Sequence, residues 1–97
     1  MAAASIRVLV VDDSAVIRAR ICDAIEQAEG VEVAGTASDG RRALEVFETV
    51  RPDVVTMDIQ MPDMDGLTAL DALLAKRPVP VIMVSSLTQA GATVTLD

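Results

Sequence analysis

The sequence contains no histidine, no tryptophan and no tyrosine, and its only phenylalanine is Phe47. Without histidine the chain cannot supply an imidazole as general base, metal ligand or phosphorylated side chain, so any histidine in its chemistry must come from a partner. With one aromatic side chain it also has almost nothing on which nucleic-acid bases could stack. We therefore do not expect it to recognise RNA or single-stranded DNA.

Basic residues are scarce as well, with eight lysines and arginines against fifteen acidic side chains and a formal net charge of −7. This balance argues against direct binding to duplex DNA or an anionic membrane and favours metal ions and basic protein surfaces. Cys22 is the single cysteine, so no internal disulfide can form, and no leader-like segment opens the sequence. The longest apolar run, 8–11, is far below the ~18 residues that span a bilayer. We expect one cytoplasmic domain.

Strand-like and helix-like patterns alternate four times along the chain. Apolar runs predict strands at 6–11, 54–57 and 79–84, and a run in which apolar residues alternate with others predicts a strand at 31–37. Apolar residues at helical spacing follow the first three runs, with Gly30 as the expected end of the first helix and leucines as the expected core face of the third. The tail 87–97 can begin a fourth helix. This alternation predicts a doubly wound, flavodoxin-like open parallel α/β sheet with four strands and three to four helices.

Polar side chains stand where the predicted strands end. Asp12 and Asp13 follow the first strand, Asp58 ends the third, and Ser85 follows the fourth. The carboxyl ends of parallel strands share one edge of the sheet, where such folds bind ligands. Three carboxylates at one edge repel one another unless a cation compensates, and Mg²⁺ prefers such oxygen ligands. Asp13 and Asp58 could bind Mg²⁺ directly, with Asp12 acting through water and the backbone carbonyl of Gln60 completing the set.

A carboxylate beside Mg²⁺ can attack a phosphoryl group, and Asp58 is the expected nucleophile, with its side chain facing solvent. Ser85 could then hydrogen-bond an oxygen of the new phosphoryl group. Simpler interpretations exist for each residue: Asp13 and Ser14 are good helix N-caps, and Asp58 could merely end a strand. The coincidence of these features at one edge of one sheet favours a functional site.

Four sequence blocks in order resemble a response-regulator receiver domain: VLVVDDS at 8–14, PDVVTMD at 52–58, MPDMDG at 61–66 and VIMVSS at 81–86. The resemblance implies that Asp12 and Asp13 are the acidic metal pair and that Asp58 is the phosphoacceptor. It also implies that Gln60 is a main-chain metal ligand and Ser85 the switch hydroxyl. The phosphodonor would be a phosphohistidine on a partner histidine kinase.

A finer resemblance covers 6–14, 65–68 and 83–96, which are similar to the receiver half of chemotaxis protein-glutamate methylesterases. In that family the receiver restrains a C-terminal esterase domain, and phosphorylation relieves the restraint so that methyl groups are removed from chemoreceptor glutamates. The 97 residues contain no esterase domain, so we do not expect the chain to be an enzyme by itself.

Receivers of this family have a fifth strand with a site lysine, a nearby aromatic residue and a fifth helix, whereas the only lysine here is Lys76, at the C-terminal end of the third helix and away from the carboxylates. We therefore expect residues 1–97 to be the N-terminal part of a single receiver domain. The fourth strand would then be an edge with only Pro80 to blunt it, and self-association through this edge is expected. Two other functions stay open: a phosphorylation-independent dimerisation module, and a Mg²⁺-dependent phosphatase, although such enzymes resemble Asp-x-Asp rather than adjacent acids.

Overall fold

The computed structural model describes residues 5–59 and 66–84 of the chain. The elements are β1 (Ile6–Val11), α1 (Ala15–Glu26), β2 (Val31–Ala37), α2 (Gly40–Val50), β3 (Val54–Asp58), α3 (Gly66–Lys76) and β4 (Val81–Val84). The four predicted strands and three of the predicted helices are thus confirmed, and the suggested fourth helix lies outside the described residues. Within the described part, no helix combines the length and apolar character needed to cross a membrane.

The strands form one parallel sheet in the order β2-β1-β3-β4. The connection from β1 to β2 runs toward one edge of the sheet, and the next two connections run toward the other. Because parallel crossovers are right-handed, this reversal places α1 on one face and α2 and α3 on the opposite face. The sheet is therefore doubly wound, as the sequence pattern predicts.

The main hydrophobic core lies between the sheet and the two helices α2 and α3. Its buried members are Leu9, Val11, Ala37, Ala43, Phe47, Val55, Met57, Ala69, Leu73 and Val79. The α1 face is covered less completely, because α1 has no fully buried residue and its isoleucines are only half-buried. Helix α1 consequently depends on contacts other than deep apolar packing for its position.

The end of α2 shows how polar groups close the turns of the fold. Arg51 takes a left-handed conformation with φ of 48° and donates its N–H to the carbonyl of Phe47 at 3.0 Å. The Arg7 guanidinium, from β1, donates to the carbonyls of Val50 and Arg51. Pro52 follows and has no N–H with which to continue the helix.

The predicted role of Gly30 is wrong. Helix α1 ends at Glu26, and its C-cap, Gln27, has an ordinary right-handed conformation. Gly30 does adopt a positive φ of 80°, but it does so in the turn before β2, where its carbonyl accepts a hydrogen bond from the Ile6 N–H at 2.8 Å. The glycine therefore serves the entry to the sheet rather than the end of the helix.

The prediction that the leucines of the third helix are all core is also wrong. Leu73 and Ala69, one helical turn apart, are fully buried, whereas Leu67 is 60% exposed and Leu74 is 41% exposed. A helix that lies on a sheet meets it along one narrow stripe, and α3 uses small and large residues in that stripe. Leucine content alone does not reveal which stripe is used.

Candidate metal centre

The pairing of β1 with β3 sets the geometry of the acidic cluster. The two strands are parallel neighbours, and Val11 lies opposite Met57. The next residues along the two strands, Asp12 and Asp58, therefore leave the sheet at the same level. Both are 1% exposed.

Asp13 joins these two acids at the edge of the sheet and is exposed. One carboxylate oxygen from each of Asp12, Asp13 and Asp58 lies within 4.8 Å of the others. The structure thus brings together the three acids that the sequence analysis singled out. Their individual roles as metal ligands or phosphoacceptor stay predictions.

The expectation that Asp58 faces solvent does not hold, because its 1% exposure makes it a buried residue. Strands β1 and β4 flank β3 on both sides, and the Ile59 N–H that follows Asp58 donates to the Val84 carbonyl at 3.1 Å. The acid therefore lies within the edge of the sheet rather than above it.

Asp12 is fixed by three hydrogen bonds around its backbone and one carboxylate oxygen. Its N–H donates to the Ala37 carbonyl at 3.1 Å, its Oδ1 accepts from the Ser14 N–H at 2.9 Å, and its carbonyl accepts from the Arg18 Nη1 at 2.8 Å. Its second oxygen, Oδ2, is buried and has no hydrogen-bond partner among the described residues. Buried polar atoms without partners are rare in folded proteins and often mark the place of an ion or water.

Ser14 is the N-cap of α1. It has an extended backbone conformation, with φ of −92° and ψ of 119°, and its side chain accepts a hydrogen bond from the Ile17 N–H at 3.2 Å. The capping interpretation is therefore correct for Ser14. Since Ser14 caps the helix, the carboxylate of Asp13 is available to the acidic cluster.

The pKa of the Asp12 carboxyl is raised above its ordinary value of 3.8, chiefly because burial disfavours the charged form. The hydrogen bond from the Ser14 backbone opposes this rise, and the negative charge of Asp13 adds to it. The Arg18 guanidinium and the side chain of Asp58 have smaller lowering effects. The pocket is thus unfavourable for the negative charge that it carries at neutral pH.

These features fit a divalent cation with oxygen ligands. The three acids supply only oxygen donors, which Mg²⁺ prefers, and two of them are buried where a cation would offset their charge. The unpartnered Oδ2 of Asp12 could accept a hydrogen bond from water bound to such an ion. The residues present therefore suit Mg²⁺ better than a soft metal, which would prefer sulfur or imidazole ligands.

Two further predicted site residues, Gln60 and Ser85, lie outside the described residues. Gln60 comes directly after Ile59, and Ser85 comes directly after Val84, whose carbonyl accepts from the Ile59 N–H. Their sequence positions are thus adjacent to neighbouring strand ends at the acidic edge. Their proposed roles as main-chain ligand and switch hydroxyl stay predictions.

Arg18 is the contact that sequence reasoning missed. The helical pattern assigns it only to the polar side of α1, yet its guanidinium reaches the Asp12 carbonyl at 2.8 Å. The available signal was its spacing, because Arg18 lies four residues after the N-cap Ser14 and so one turn into the helix. That spacing by itself does not distinguish a contact with the strand end from a solvated side chain.

The doubly wound sheet and the acids at the ends of β1 and β3 together define a receiver-type fold with an acidic pocket. The family model "Response regulator receiver domain" matches residues 8–96, and the chain belongs to this family. Among its members, the chain is similar to the receiver parts of chemotaxis methylesterases.

Two curated relatives illustrate this similarity, and both are named protein-glutamate methylesterase/protein-glutamine glutaminase. The protein from Alkalilimnicola ehrlichii is 52% identical over 92 residues, which cover 95% of this chain and 24% of the relative. The protein from Archaeoglobus fulgidus is 54% identical over 91 residues, which cover 94% of this chain and 26% of the relative. The chain thus spans about a quarter of the length of these relatives.

Solved structures show the same likeness. The response regulator domain of Thermotoga maritima CheB matches with a TM-score of 0.82 and 49% identity, over 92% of this chain and 66% of that one. The CheX-CheY-BeF3-Mg²⁺ complex from Borrelia burgdorferi matches with a TM-score of 0.76 and 36% identity, over 90% of this chain and 66% of that one.

Proposed function

We propose that this chain is a two-component signalling phosphoacceptor in which Asp58 receives a phosphoryl group from a phosphohistidine of a partner kinase, with Mg²⁺ as cofactor. The observation that carries the proposal is the convergence of three carboxylates within 4.8 Å, one of them with a buried oxygen that has no hydrogen-bond partner in residues 5–59 and 66–84. Buried carboxylates so close together cost free energy, so a sheet edge with only a structural role would not carry them without a compensating positive charge. Membership of the receiver family supports the same role.

Asp13, Asp58 and the backbone carbonyl of Gln60 would hold the cation directly, and Asp12 would act through a bound water. When bound, Mg²⁺ neutralises charge on the oxygens of the transferring phosphoryl group. The related CheX-CheY-BeF3-Mg²⁺ complex from Borrelia burgdorferi supports a Mg²⁺ site in this fold.

In the proposed reaction, a carboxylate oxygen of Asp58 attacks the phosphorus, and the bond between phosphorus and the imidazole nitrogen of the donor breaks. The imidazole leaves with the electron pair of that bond and takes up a proton, and Asp58 becomes an acyl phosphate. The hydroxyl of Ser85 would donate a hydrogen bond to a phosphoryl oxygen. Because Asp58 is buried, the groups that cover it must move aside before a phosphodonor can reach it.

The decisive experiment is intact-protein mass spectrometry after incubation with acetyl phosphate and Mg²⁺. We expect one phosphoryl adduct on the wild-type chain, no adduct on Asp58→Asn, and no adduct without Mg²⁺. Asp71→Asn, at an exposed position on α3, removes the same charge away from the cluster and should be modified like the wild type. An adduct that persists in Asp58→Asn would overturn the site assignment, and turnover of a generic phosphate ester would favour the phosphatase alternative.

The family resemblance also leads us to propose a cytoplasmic setting, a histidine kinase partner and control of a methylesterase output domain in a longer protein. In a protein that contains both parts, phosphorylation should raise the rate of receptor-glutamate demethylation, and Asp58→Asn should abolish the rise while leaving basal esterase activity. Equal stimulation of wild type and Asp58→Asn by the phosphorylated kinase would contradict this proposal.

A further inference from the structure

Arg18 connects the first turn of α1 to the end of β1. Its guanidinium Nη1 donates to the Asp12 carbonyl at 2.8 Å in a partly buried environment, and its backbone N–H donates to the Ser14 carbonyl at 2.9 Å. The same residue therefore closes the first helical turn and holds the strand end that precedes it. The turn between strand and helix is the part of the backbone that carries Asp12 and Asp13.

Polar contacts matter here because α1 has no fully buried side chain. A helix that is held by deep apolar packing would keep its place after the loss of one hydrogen bond, but the isoleucines of α1 are only half-buried. The Ser14 cap satisfies an N–H inside the helix, whereas the Arg18 guanidinium reaches out of the helix to β1. Arg18 is thus a direct polar tie between the helix and the acid-bearing turn.

We propose that Arg18 is a positioning residue of the metal centre, an inference that rests on the proposed function. By holding the Asp12 carbonyl, it fixes the turn in which the Ser14 N–H grips Oδ1 of the same aspartate. With the carbonyl and Oδ1 both held, Oδ2 is the Asp12 oxygen that has no hydrogen bond to the described residues. Some residues do not bind a metal but hydrogen-bond to the residues that do. Removal of such an orienting residue commonly weakens metal affinity by roughly 10- to 100-fold.

The positive charge of Arg18 and its positioning role predict opposite changes in Mg²⁺ affinity when Arg18 is replaced. A guanidinium beside three carboxylates repels an incoming cation, so charge alone predicts that its removal strengthens Mg²⁺ binding. Positioning predicts the opposite, because the acids lose their alignment. The direction of the change in Mg²⁺ affinity therefore separates the two roles.

The first test is isothermal titration calorimetry with MgCl₂ on wild type, Arg18→Met, Arg18→Lys and Arg20→Met. We expect Arg18→Met to bind about tenfold more weakly, in line with the loss of an orienting partner. Arg18→Lys, which keeps the charge and an N–H donor, should recover part of the affinity. Arg20 is exposed on the same helix, so Arg20→Met removes an equal charge and should bind as well as wild type or slightly better. Equal or tighter binding by Arg18→Met would overturn the inference.

The second test needs no metal and follows the amide hydrogen exchange of Ser14 by NMR, because that N–H is bonded to Asp12 Oδ1. Arg18→Met should exchange at Ser14 several-fold faster than wild type, Arg18→Lys should lie between them, and Arg20→Met should match wild type. Unchanged exchange in Arg18→Met would sink the positioning role.

The two tests also separate the inference from the proposed function. Failure of the wild-type chain to bind Mg²⁺ would overturn the proposed function and the link of Arg18 to a metal, whereas Ser14 exchange reports on the turn itself. Should Arg18→Met fail to fold, Arg18→Lys carries the test, since weaker Mg²⁺ binding and faster Ser14 exchange than in wild type are still expected. Wild-type values for both quantities would then count against the inference.

Discussion

At the scale of single residues, Asp12 combines requirements that oppose each other. Its side chain is 1% exposed, its Oδ2 has no hydrogen-bond partner within the part of the chain that the structure describes, and the negative charge of Asp13 acts on it. Without a cation, each of these features disfavours the ionised form. The metal-free protein should therefore gain stability when this one charge is removed.

We expect Asp12→Asn to raise the free energy of unfolding at pH 7 in EDTA by roughly 1–2 kcal/mol, the scale on which a buried polar atom without a partner costs stability. The asparagine can still accept the Ser14 N–H, and its amide can donate toward Asp58. Urea denaturation of wild type and variant measures the difference. Asp71→Asn, at an exposed position, should be nearly neutral.

The pH dependence of this gain has a definite sign. Because the pKa of Asp12 is raised in the folded chain above its ordinary value of 3.8, the folded state binds the proton more tightly than the unfolded state. The favourable contribution of protonated Asp12 is present below 3.8 and is lost as pH rises through the higher folded value. The advantage of Asp12→Asn should therefore shrink on acidification toward pH 3.8. An advantage that grows on acidification would contradict the raised pKa.

At the scale of elements, α3 is fastened to the rest of the fold near its C-terminal end. Arg77 follows α3, and its Nη2 donates to the Pro52 carbonyl at 2.8 Å while its guanidinium lies 5.1 Å from the centre of the Phe47 ring. Phe47 belongs to α2, and Pro52 lies in the connection to β3. One side chain thus joins the end of α3 to α2 and to the connection between α2 and β3.

We expect Arg77→Met to lower the free energy of unfolding by about 1–2 kcal/mol, through the loss of one hydrogen bond and the cation–π contact. Lys76→Met is the matched control, because Lys76 forms only an exposed ion pair with Glu48 at 3.4 Å and should cost less than about 0.5 kcal/mol. Chemical denaturation measures both. Equal losses for the two variants would show that the Arg77 contacts contribute nothing specific.

Several features of the elements could be predicted and others could not. The central strands β1 and β3 followed from apolar runs, because strands covered on both faces need nearly continuous hydrophobic sequence. The exposed Leu67 and the displaced role of Gly30 did not follow, since the stripe of α3 that meets the sheet and the length of the turn before β2 depend on neighbouring elements. Periodicity describes an element alone, whereas burial depends on what lies beside it.

At the scale of the whole molecule, β2 and β4 are the edges of the sheet in the part of the chain that the structure describes. β4 pairs with β3 on one side, and all four of its residues are half-buried. Self-association through this edge stays a prediction. Light scattering should show an average mass that rises with protein concentration, and Ile82→Lys, which places a charge on the edge strand, should suppress the rise. A monomeric mass for the wild type at high concentration would contradict it.

The acidic site was predictable from the sequence in its broad placement but not in its detail. The carboxyl ends of parallel strands lie at the same edge of the sheet. Asp12 and Asp58 therefore lie close together because β1 and β3 are neighbours in the sheet. The sequence pattern did not predict three details of the site: the Asp12 Oδ2 without a hydrogen bond to the described residues, the hydrogen bond from Arg18 to the Asp12 carbonyl, and the burial of Asp58. They depend on distances of a few ångströms between residues that are remote in sequence, and no spacing rule supplies those distances.

The alignment of Val11 with Met57 makes the length of β3 intolerant of change. One amino acid inserted into this strand would reverse the face on which every later residue of β3 lies, so Asp58 would enter the apolar layer between the sheet and the helices α2 and α3, and an apolar side chain would take its place at the acidic edge. Surface loops can gain or lose residues without this penalty. The proposed phosphorylation therefore depends on the number of residues in β3. Insertions or deletions in this strand should abolish it even where every site residue is retained.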